Sequence, residues 1–571
     1  MDRELNSIEK EFQRYLDDDS NRLWQLFKSS CRPTHPFFKF DVGNLDSLKF
    51  EPEKRGVNVR DELIKFYNKH YSANLMTLCL LGNESLDQLE QYAIDMFSAV
   101  PNKNLDVSVF DPDLFDSDAD IFYVVPVQNL KEMSVSWIVP YLDHKYDTHS
   151  YNYLGHLICH KADGSLLAEL KRRRWAVSLN QDVSPDSSMK GFDAFRICMK
   201  LTEQGSQKVD EILTLLYQYI NMLKRHGPQE WIVNEMIELG KQEFEYQENC
   251  DPFDYVQNMS NNLALYAPSD VLCADYYSLK YDPDLIESLF AYLVPDKMRV
   301  MVISREYEIK ANQAEKWYGT RFGREKIAPE LLERLESCGY NDEAFRLPSK
   351  NEFIARDLDF IEHAENGDGD EPRIVRDSSL SRVWFKEDTK FGMPKLFMTI
   401  IIVNKMGRES AKNIEILNLF QSMLKDKLDE LLYYARLADF GFSMETSVEG
   451  VRLDFSGFND KFILFLNKVI QFLLSHQFDR KDFEQQKEKR QRELSDFETL
   501  EASDHANFYL DLAIANQIWS QQDRRFALDQ LDFEEFEKIY IDFLTNQIFL
   551  ESIVYGNLTE KVKKIYHKDS I

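Results

Sequence analysis

Three stretches of the chain repeat one hydrophobic pattern: apolar residues three and four apart, a short polar turn, then an apolar run. They are DELIKFYNKHYSANLMTLCLLGN from Asp61, DLIESLFAYLVPDKMRVMVIS from Asp284 and FEEFEKIYIDFLTNQIFLESIVYGN from Phe533. Apolar residues at that spacing share one face of a helix, and runs rich in Val, Ile, Leu and Met between turn residues suit buried strands. Each stretch therefore predicts helix, turn and strand, and the first and third end on Gly82-Asn83 and Gly556-Asn557. The longest strongly apolar run, LFMTIIIV at 396–403, predicts another buried strand. It is far shorter than the roughly 20 residues that span a bilayer as a helix.

A second pattern repeats on a larger scale. LLAELKRRRWAVSLNQDV and FDAFRICMKL precede the amphipathic GSQKVDEILTLLYQYINML, and YYARLADFGFSMETSV and VRLDFSGF precede DKFILFLNKVIQFLLSH. Both predict a helix, two strands and a long helix. Such units are far longer than solenoid repeats and predict tandem homologous domains of the α+β class. About 200 residues separate the first terminal strand from the second and about 250 the second from the third, a normal domain length. By that measure the first copy is short on its N-terminal side. The expectation is that the chain starts inside a domain, with the partners of its first residues upstream of Met1.

Length and composition agree with several packed domains: 571 residues, 43% hydrophobic and 13% aromatic. The net charge of −29 disfavours nucleic acid and anionic membrane as partners and suits a cationic or neutral ligand. The basic run Lys171-Arg172-Arg173-Arg174 reads as a solvated helix end. Seven scattered cysteines without a CxxC pair indicate a reducing compartment. The N-terminus has no apolar signal core, so the expected location is cytoplasmic.

RELNSIEKE, HPFFKFDVGNL, YSANLMTLCLLGNESLDQLE, YLGHLICHKADGSLLAELK, GPQEW, EKWYGT, PSKNEFI and SRVWFKEDTKFGMPK follow one another along the chain. In that order they resemble the insulysin, nardilysin and pitrilysin family of zinc metallopeptidases, over nearly the whole length. The resemblance implies tandem α/β-roll domains, four in two halves closing around an unfolded peptide. It divides this chain into residues 1–104 (the C-terminal part of the first, catalytic domain), 105–345 (the second), a linker at 346–378 and 379–571 (the third), with the fourth absent.

The family holds zinc with His-x-x-Glu-His and a distant glutamate. Two imidazoles and a carboxylate leave one position for water, and the motif's Glu takes that water's proton. The distant glutamate lies in R-E-x-x-A-x-x-x-E, matched here by Arg3 to Glu11 with Ser7 in place of Ala. Glu11 thus resembles the third zinc ligand, and Glu4 the carboxylate that orients a ligand histidine. On the residues alone, two glutamates on an exposed helix face are solvated charges. His-x-x-Glu-His occurs nowhere in the sequence, so no general base is present. His156 and His160 have its outer spacing, but Cys159 stands where the base belongs, and packing or peptide contact is the expected role.

In the second domain the resemblance implies a strand that adds to the edge of a bound peptide. Gly155, His156, Leu157, Leu179, Asn180 and Gln181 match it, while Cys159, Gln181 and Asp182 replace glycines and Lys161 replaces an acid. Side chains in place of glycines limit backbone approach, so anchoring and an ordinary domain edge both remain open. The acidic run at 368–371 lacks calcium-loop spacing and reads as linker. The helix DFEQQKEKRQRELSDFE reads as a solvated or interdomain face.

The expectation is an insulysin-like zinc metalloendopeptidase for short, partly unfolded peptides, represented by a chain that does not cleave alone. A non-catalytic peptide-binding or scaffold member is the alternative. Partners would be peptide substrates and a partner chain or second copy, which exposed apolar surface at the cut face of the first domain would recruit.

Overall fold

The computed structural model describes residues 2–116, 119–184, 190–340, 343–360, 371–388, 390–405, 409–447, 450–475, 478–497, 502–514, 518–546 and 548–558. Residues 361–370 of the stretch 346–378 read as linker lie outside them. The chain divides into two compact units, Met1–Ser349 and Lys350–Ile571.

In the first unit, β1 (Asp120–Val125), β2 (Glu132–Pro140), β3 (Ala176–Ser184), β4 (Phe192–Leu201), β5 (Arg299–Ile303), β6 (Gln313–Ala314) and β7 (Arg321–Lys326) form one sheet. Its order is β3-β4-β2-β5-β1-β7-β6. Only β1 and β5 run parallel; every other neighbouring pair is antiparallel. Alternation sorts the strands' side chains onto two faces. Met133, Val135, Trp137 and Val139 of β2 point to a large core shared with the helix Val209–His226, whose Ile212, Leu213, Leu216, Tyr219, Ile220 and Leu223 recur at helical spacing. That helix ends at Gly227, whose φ of 66° suits a residue without a Cβ. Trp137 donates its indole N–H to the Val294 carbonyl at 3.2 Å. The opposite face is covered as well: Phe122, Val124, Met301 and Phe192 pack under Leu26, Phe27 and Phe37.

The second unit repeats the plan. Strands β8 (Arg373–Asp377), β9 (Ser381–Glu387), β10 (Lys395–Val403), β11 (Gly441–Ser447), β12 (Gly450–Phe458) and β13 (Phe549–Gly556) lie in the order β11-β12-β10-β13-β9-β8. Again the first and last of the five shared strands, β9 and β13, are the parallel pair. So β1, β2, β3, β4 and β5 correspond to β9, β10, β11, β12 and β13, the duplication that the repeated patterns predict. The run at 396–403 is the central strand β10, with Leu396, Met398, Ile400 and Ile402 buried on one face.

The helix Ala411–Leu437 is capped by the Ser410 hydroxyl, which accepts from Asn413 N–H at 3.2 Å. It buries Ile416, Leu417, Phe420, Met423 and Leu424. Its fully buried Glu415 accepts from Arg490 at 2.9 Å and Arg524 at 2.6 Å, which ties together three helices. Arg490 belongs to the helix Arg480–Asp496, read from sequence as a solvated or interdomain face; the structure instead packs one side of it into the second unit. Phe483, Gln486 and Leu494 of that helix are buried. High charge concealed a narrow apolar stripe.

A second correction concerns the first of the three repeated stretches. Its helix forms over Val59–His70, with the Asn58 side chain accepting from Arg60 N–H at 3.1 Å. The predicted strand at 76–83 does not form. Of residues 57–109 only Ser72 is buried, and Leu63, Phe66, Tyr67, Leu81, Met96 and Val109 are all exposed. A strand is stable through ladder partners, and no other described strand lies beside 76–83. The second and third stretches, whose strands β5 and β13 each find two neighbours, fold as predicted.

Candidate functional site

The helix Asp2–Tyr15 carries both candidate glutamates. Leu5 and Phe12, also seven apart, define its buried face, and Glu4 and Glu11 sit one position before each on the exposed side. Two of the other collinear motifs meet to seat it. From EKWYGT, buried Glu315 accepts from the N–H groups of Trp317 and Tyr318, both at 2.8 Å. That tight turn presents the Tyr318 ring to Phe12, 5.2 Å between centroids. From HPFFKFDVGNL, Phe40 meets Phe12 edge-on at 5.6 Å, and Leu45 donates its N–H to Glu9 at 2.8 Å. Arg22 donates to the carbonyls of Leu16 and Tyr318 at 2.8 and 2.7 Å and closes the seat.

Glu9 is thus the anchoring carboxylate. Glu11 is exposed and takes a long 3.4 Å hydrogen bond from the Tyr15 hydroxyl; Glu4 is exposed too. Zinc is the metal the family implies, and the donor set here does not fit it. Among the described residues no three His, Cys, Asp or Glu side chains come together to hold a metal ion. One carboxylate supplies a single ligand where four are needed.

The second candidate cluster is brought together in space. The helix Ser150–Ile158 lies against β3, and among the described residues β3 is the outermost strand of its sheet, paired only with β4. Gln181 folds over Gly155 so closely that a Cβ there would sit 1.1 Å from its side-chain oxygen. Asn180 is exposed, while Leu157 and Leu179 are buried in the core. Their side chains pack, and what the strand offers outward is its backbone edge.

The His156 and His160 rings meet edge-on with centroids 5.4 Å apart. Burial pushes His156 down to about 4. His160 is pushed down to about 3, by its burial first and by His156 second. Its Nδ1 accepts from Ala162 N–H at 3.2 Å, which places the proton of the neutral ring on Nε2. Between them Cys159 is pushed up to about 12 by burial, an unreactive thiol. The pair is a neutral packing feature at physiological pH.

Sequence reasoning missed a hollow of about 530 Å³ on the second unit's sheet, lined by Glu371, Trp384, Thr399, Ile401, Glu551 and Ile553 among others. Trp384 and Glu551 lie 167 residues apart and meet through the pairing of β9 with β13. No sequence signal marked it, since Glu551 alternates along β13 with Phe549, Ile553 and Tyr555 and so lies on no polar face.

Two family profiles match the chain. One, described as the peptidase M16 inactive domain, covers residues 58–239; the other, the middle or third domain of peptidase M16, covers 244–526. Over 562 residues the chain is 33% identical to the insulin-degrading enzyme of Homo sapiens, taking in 98% of this chain and 55% of that protein. The A-factor-processing enzyme of Saccharomyces cerevisiae is 32% identical over 565 residues, 98% of this chain and 54% of the relative. Putative zinc protease mug138 of Schizosaccharomyces pombe is 31% identical over 571 residues, 99% and 58%. The chain spans about half the length of the curated relatives it matches. Among solved structures, pitrilysin aligns at a TM-score of 0.75 and 22% identity, covering 99% of this chain and 59% of that one; the likeness is one of fold.

Proposed function

Since the chain belongs to the M16 peptidase family, we propose that these 571 residues are a peptide-holding portion of an insulysin-like zinc metalloendopeptidase for short, partly unfolded peptides. By themselves they do not hydrolyse peptides. The observation that carries this is the seated helix Asp2–Tyr15, which presents Glu11 outward where, among the described residues, no three metal-ligating side chains come together, in a sequence without His-x-x-Glu-His. Glu11 would be one zinc ligand and Glu4 its outer support, once such a motif lies against them. The peptide would pair along the free edge of β3, where main-chain hydrogen bonds hold many sequences alike.

The partition into 1–104, 105–345, 346–378 and 379–571 belongs to the same proposal, except that Arg373–Asp377, read as linker, forms strand β8 of the second unit's sheet. So does a cytoplasmic location, supported by seven free cysteines; among the described residues no helix is long and apolar enough to cross a membrane. The exposed apolar residues of 57–109 support assembly with a partner chain or a second copy. The alternative is a non-catalytic peptide-binding or scaffold member, against which the presence of both Glu4 and Glu11 in RELNSIEKE argues.

The test pairs cleavage of a quenched fluorogenic peptide, with and without added zinc, with binding of the same labelled peptide by anisotropy. Binding without cleavage is expected. Chelator-sensitive cleavage by the 571-residue chain would overturn the proposal.

A further inference from the structure

The helix Asp19–Ser29 meets the EKWYGT turn along a polar seam. Arg22, Gln25 and Ser29, three and four residues apart, share one side of that helix. Arg22 donates to the Tyr318 carbonyl at 2.7 Å, and the Ser29 hydroxyl donates to Glu315 at 3.2 Å. Glu315 in turn gives its backbone N–H to the Thr320 carbonyl at 2.9 Å. These bonds draw Arg22, Gln25, Glu315 and Thr320 together, and all four are buried: Gln25 is 2% exposed and Thr320 1%.

Three buried side-chain atoms of this seam have no hydrogen-bond partner among the described residues: Arg22 Nε, Gln25 Oε1 and Thr320 Oγ1. Burial without a partner costs a polar atom its hydration, so such atoms are rarely left unmatched. The Asp19 carboxylate lies 3.7 Å from Arg22 Nε, beyond hydrogen-bond reach, and accepts instead from the N–H groups of Val127 and Gln128 at 2.9 and 2.8 Å. The chemistry of the three atoms selects what they would share. A carboxylate only accepts, so Ser29 gives its hydrogen to Glu315 and must itself accept from Gln25, whose Nε2 lies at 3.1 Å. That orients the amide and leaves Oε1 as an acceptor. Arg22 Nε–H only donates, and the Thr320 hydroxyl can do either. A cation would meet the Arg22 charge, and an anion would meet Gln25 Oε1 with the Asp19 and Glu315 carboxylates close by. A neutral molecule that both accepts and donates satisfies all three, and three bonds is the usual number for a buried water.

From this we infer that one buried water joins Arg22, Gln25 and Thr320 and serves as a joint in the mount of the helix Asp2–Tyr15. The water accepts from Arg22 Nε, donates to Gln25 Oε1 and completes its bonds with the Thr320 hydroxyl. The turn it holds carries Tyr318, whose ring packs on Phe12 with 5.2 Å between centroids. Arg22 also donates to the Leu16 carbonyl at 2.8 Å, just past the end of that helix. The joint therefore acts at a distance on the helix that bears Glu4 and Glu11, as a positioning device, and it stands whether or not the chain holds peptides.

The test is a double-mutant cycle on the whole chain, with Gln25→Met and Thr320→Val, which keep side-chain size and remove the polar atoms. Those two side chains share no direct hydrogen bond. Native-state hydrogen exchange of the helix Asp19–Ser29 is the readout, with β2 as the control for folding. Each single variant should speed exchange about 5-fold, and the double variant by no more than about 10-fold, because either change already releases the water. Single effects that multiply to about 25-fold in the double variant, or single variants that exchange like the wild type, overturn the inference. A crystal structure of the unaltered chain supplies a second measurement that does not depend on how the variants fold. A solvent peak within about 3.2 Å of all three atoms is expected. Direct bonding among the three atoms, the lack of a peak, or a peak with the anomalous signal of an ion overturns the inference.

Discussion

Replacing Phe12 by Ala should loosen the helix Asp2–Tyr15 and leave the sheet of the first unit intact. Phe12 is buried, with Tyr318 and Phe40 at 5.2 and 5.6 Å. Burial of an aromatic side chain is worth about 1.5–3 kcal/mol, and each ring pair adds about 0.5–1.5 kcal/mol. Core Phe→Ala changes accordingly run at about 3–5 kcal/mol. What remains is Leu5, worth about 2 kcal/mol, the hydrogen bond from Leu45 to Glu9 and that from Arg22 to the Leu16 carbonyl, each worth about 1 kcal/mol net, and the exposed Lys49–Asp2 pair, worth less than about 1 kcal/mol. The loss is therefore comparable with the rest of the local attachment. At about 1.4 kcal/mol per tenfold, a loss of 3 kcal/mol speeds amide exchange through local opening by roughly 100-fold. Native-state hydrogen exchange by mass spectrometry reads this directly, with β2 as the internal control. Acceleration of the helix below about threefold would show that Phe12 is not its anchor. Equal acceleration in β2 would show that the helix does not open as a separate unit.

Other outcomes follow from the same structure. Glu415→Ala strands Arg490 and Arg524 in the second unit and should lower its stability to urea by about 3–5 kcal/mol; a loss below about 1 kcal/mol would mean solvent reaches the site. Gly205→Ala drives a Cβ to 1.8 Å from the Trp175 carbonyl and should cost about 1–3 kcal/mol. Gly155→Ala meets only the movable end of Gln181 and should cost less than half as much; the reverse ranking in thermal melts would contradict this. His156 and His160 titrate near 4 and 3 when folded and near 6.5 when unfolded. The unfolded chain binds protons first as pH falls, so their stabilisation is complete above 6.5 and declines below it, by up to about 1.4 kcal/mol per pH unit for each ring. His156→Gln should flatten the fall in urea midpoint between about pH 7 and 5 relative to the wild type, and equal slopes would refute the assignment.

Much of this architecture was legible in the residues because its signals are local. The strand at 396–403, the helix from Phe533 and the doubled helix–strand–strand–helix pattern all emerged where side-chain period and turn residues agree. The failures share one cause, that pairing is not local. Residues 76–83 have strand composition and no ladder partner, and the helix Arg480–Asp496 hides Phe483 and Leu494 among charges whose buried partner, Glu415, lies 75 residues from Arg490. The candidate glutamates were found by motif. Their geometry depends on Phe40, Leu45 and Tyr318, whose convergence on one helix no spacing rule reveals. The hollow at Trp384 and Glu551 was invisible for the same reason, since strand register across a long insertion is a property of the folded sheet.

The central claim is that this chain holds Glu11 ready for a metal site it does not complete. Zinc content by plasma emission spectrometry, after equilibration with zinc and exhaustive dialysis, tests it most directly. Retention well below one ion per chain, unchanged by Glu11→Gln, is the result expected. One tightly held zinc per chain that disappears in Glu11→Gln would contradict it.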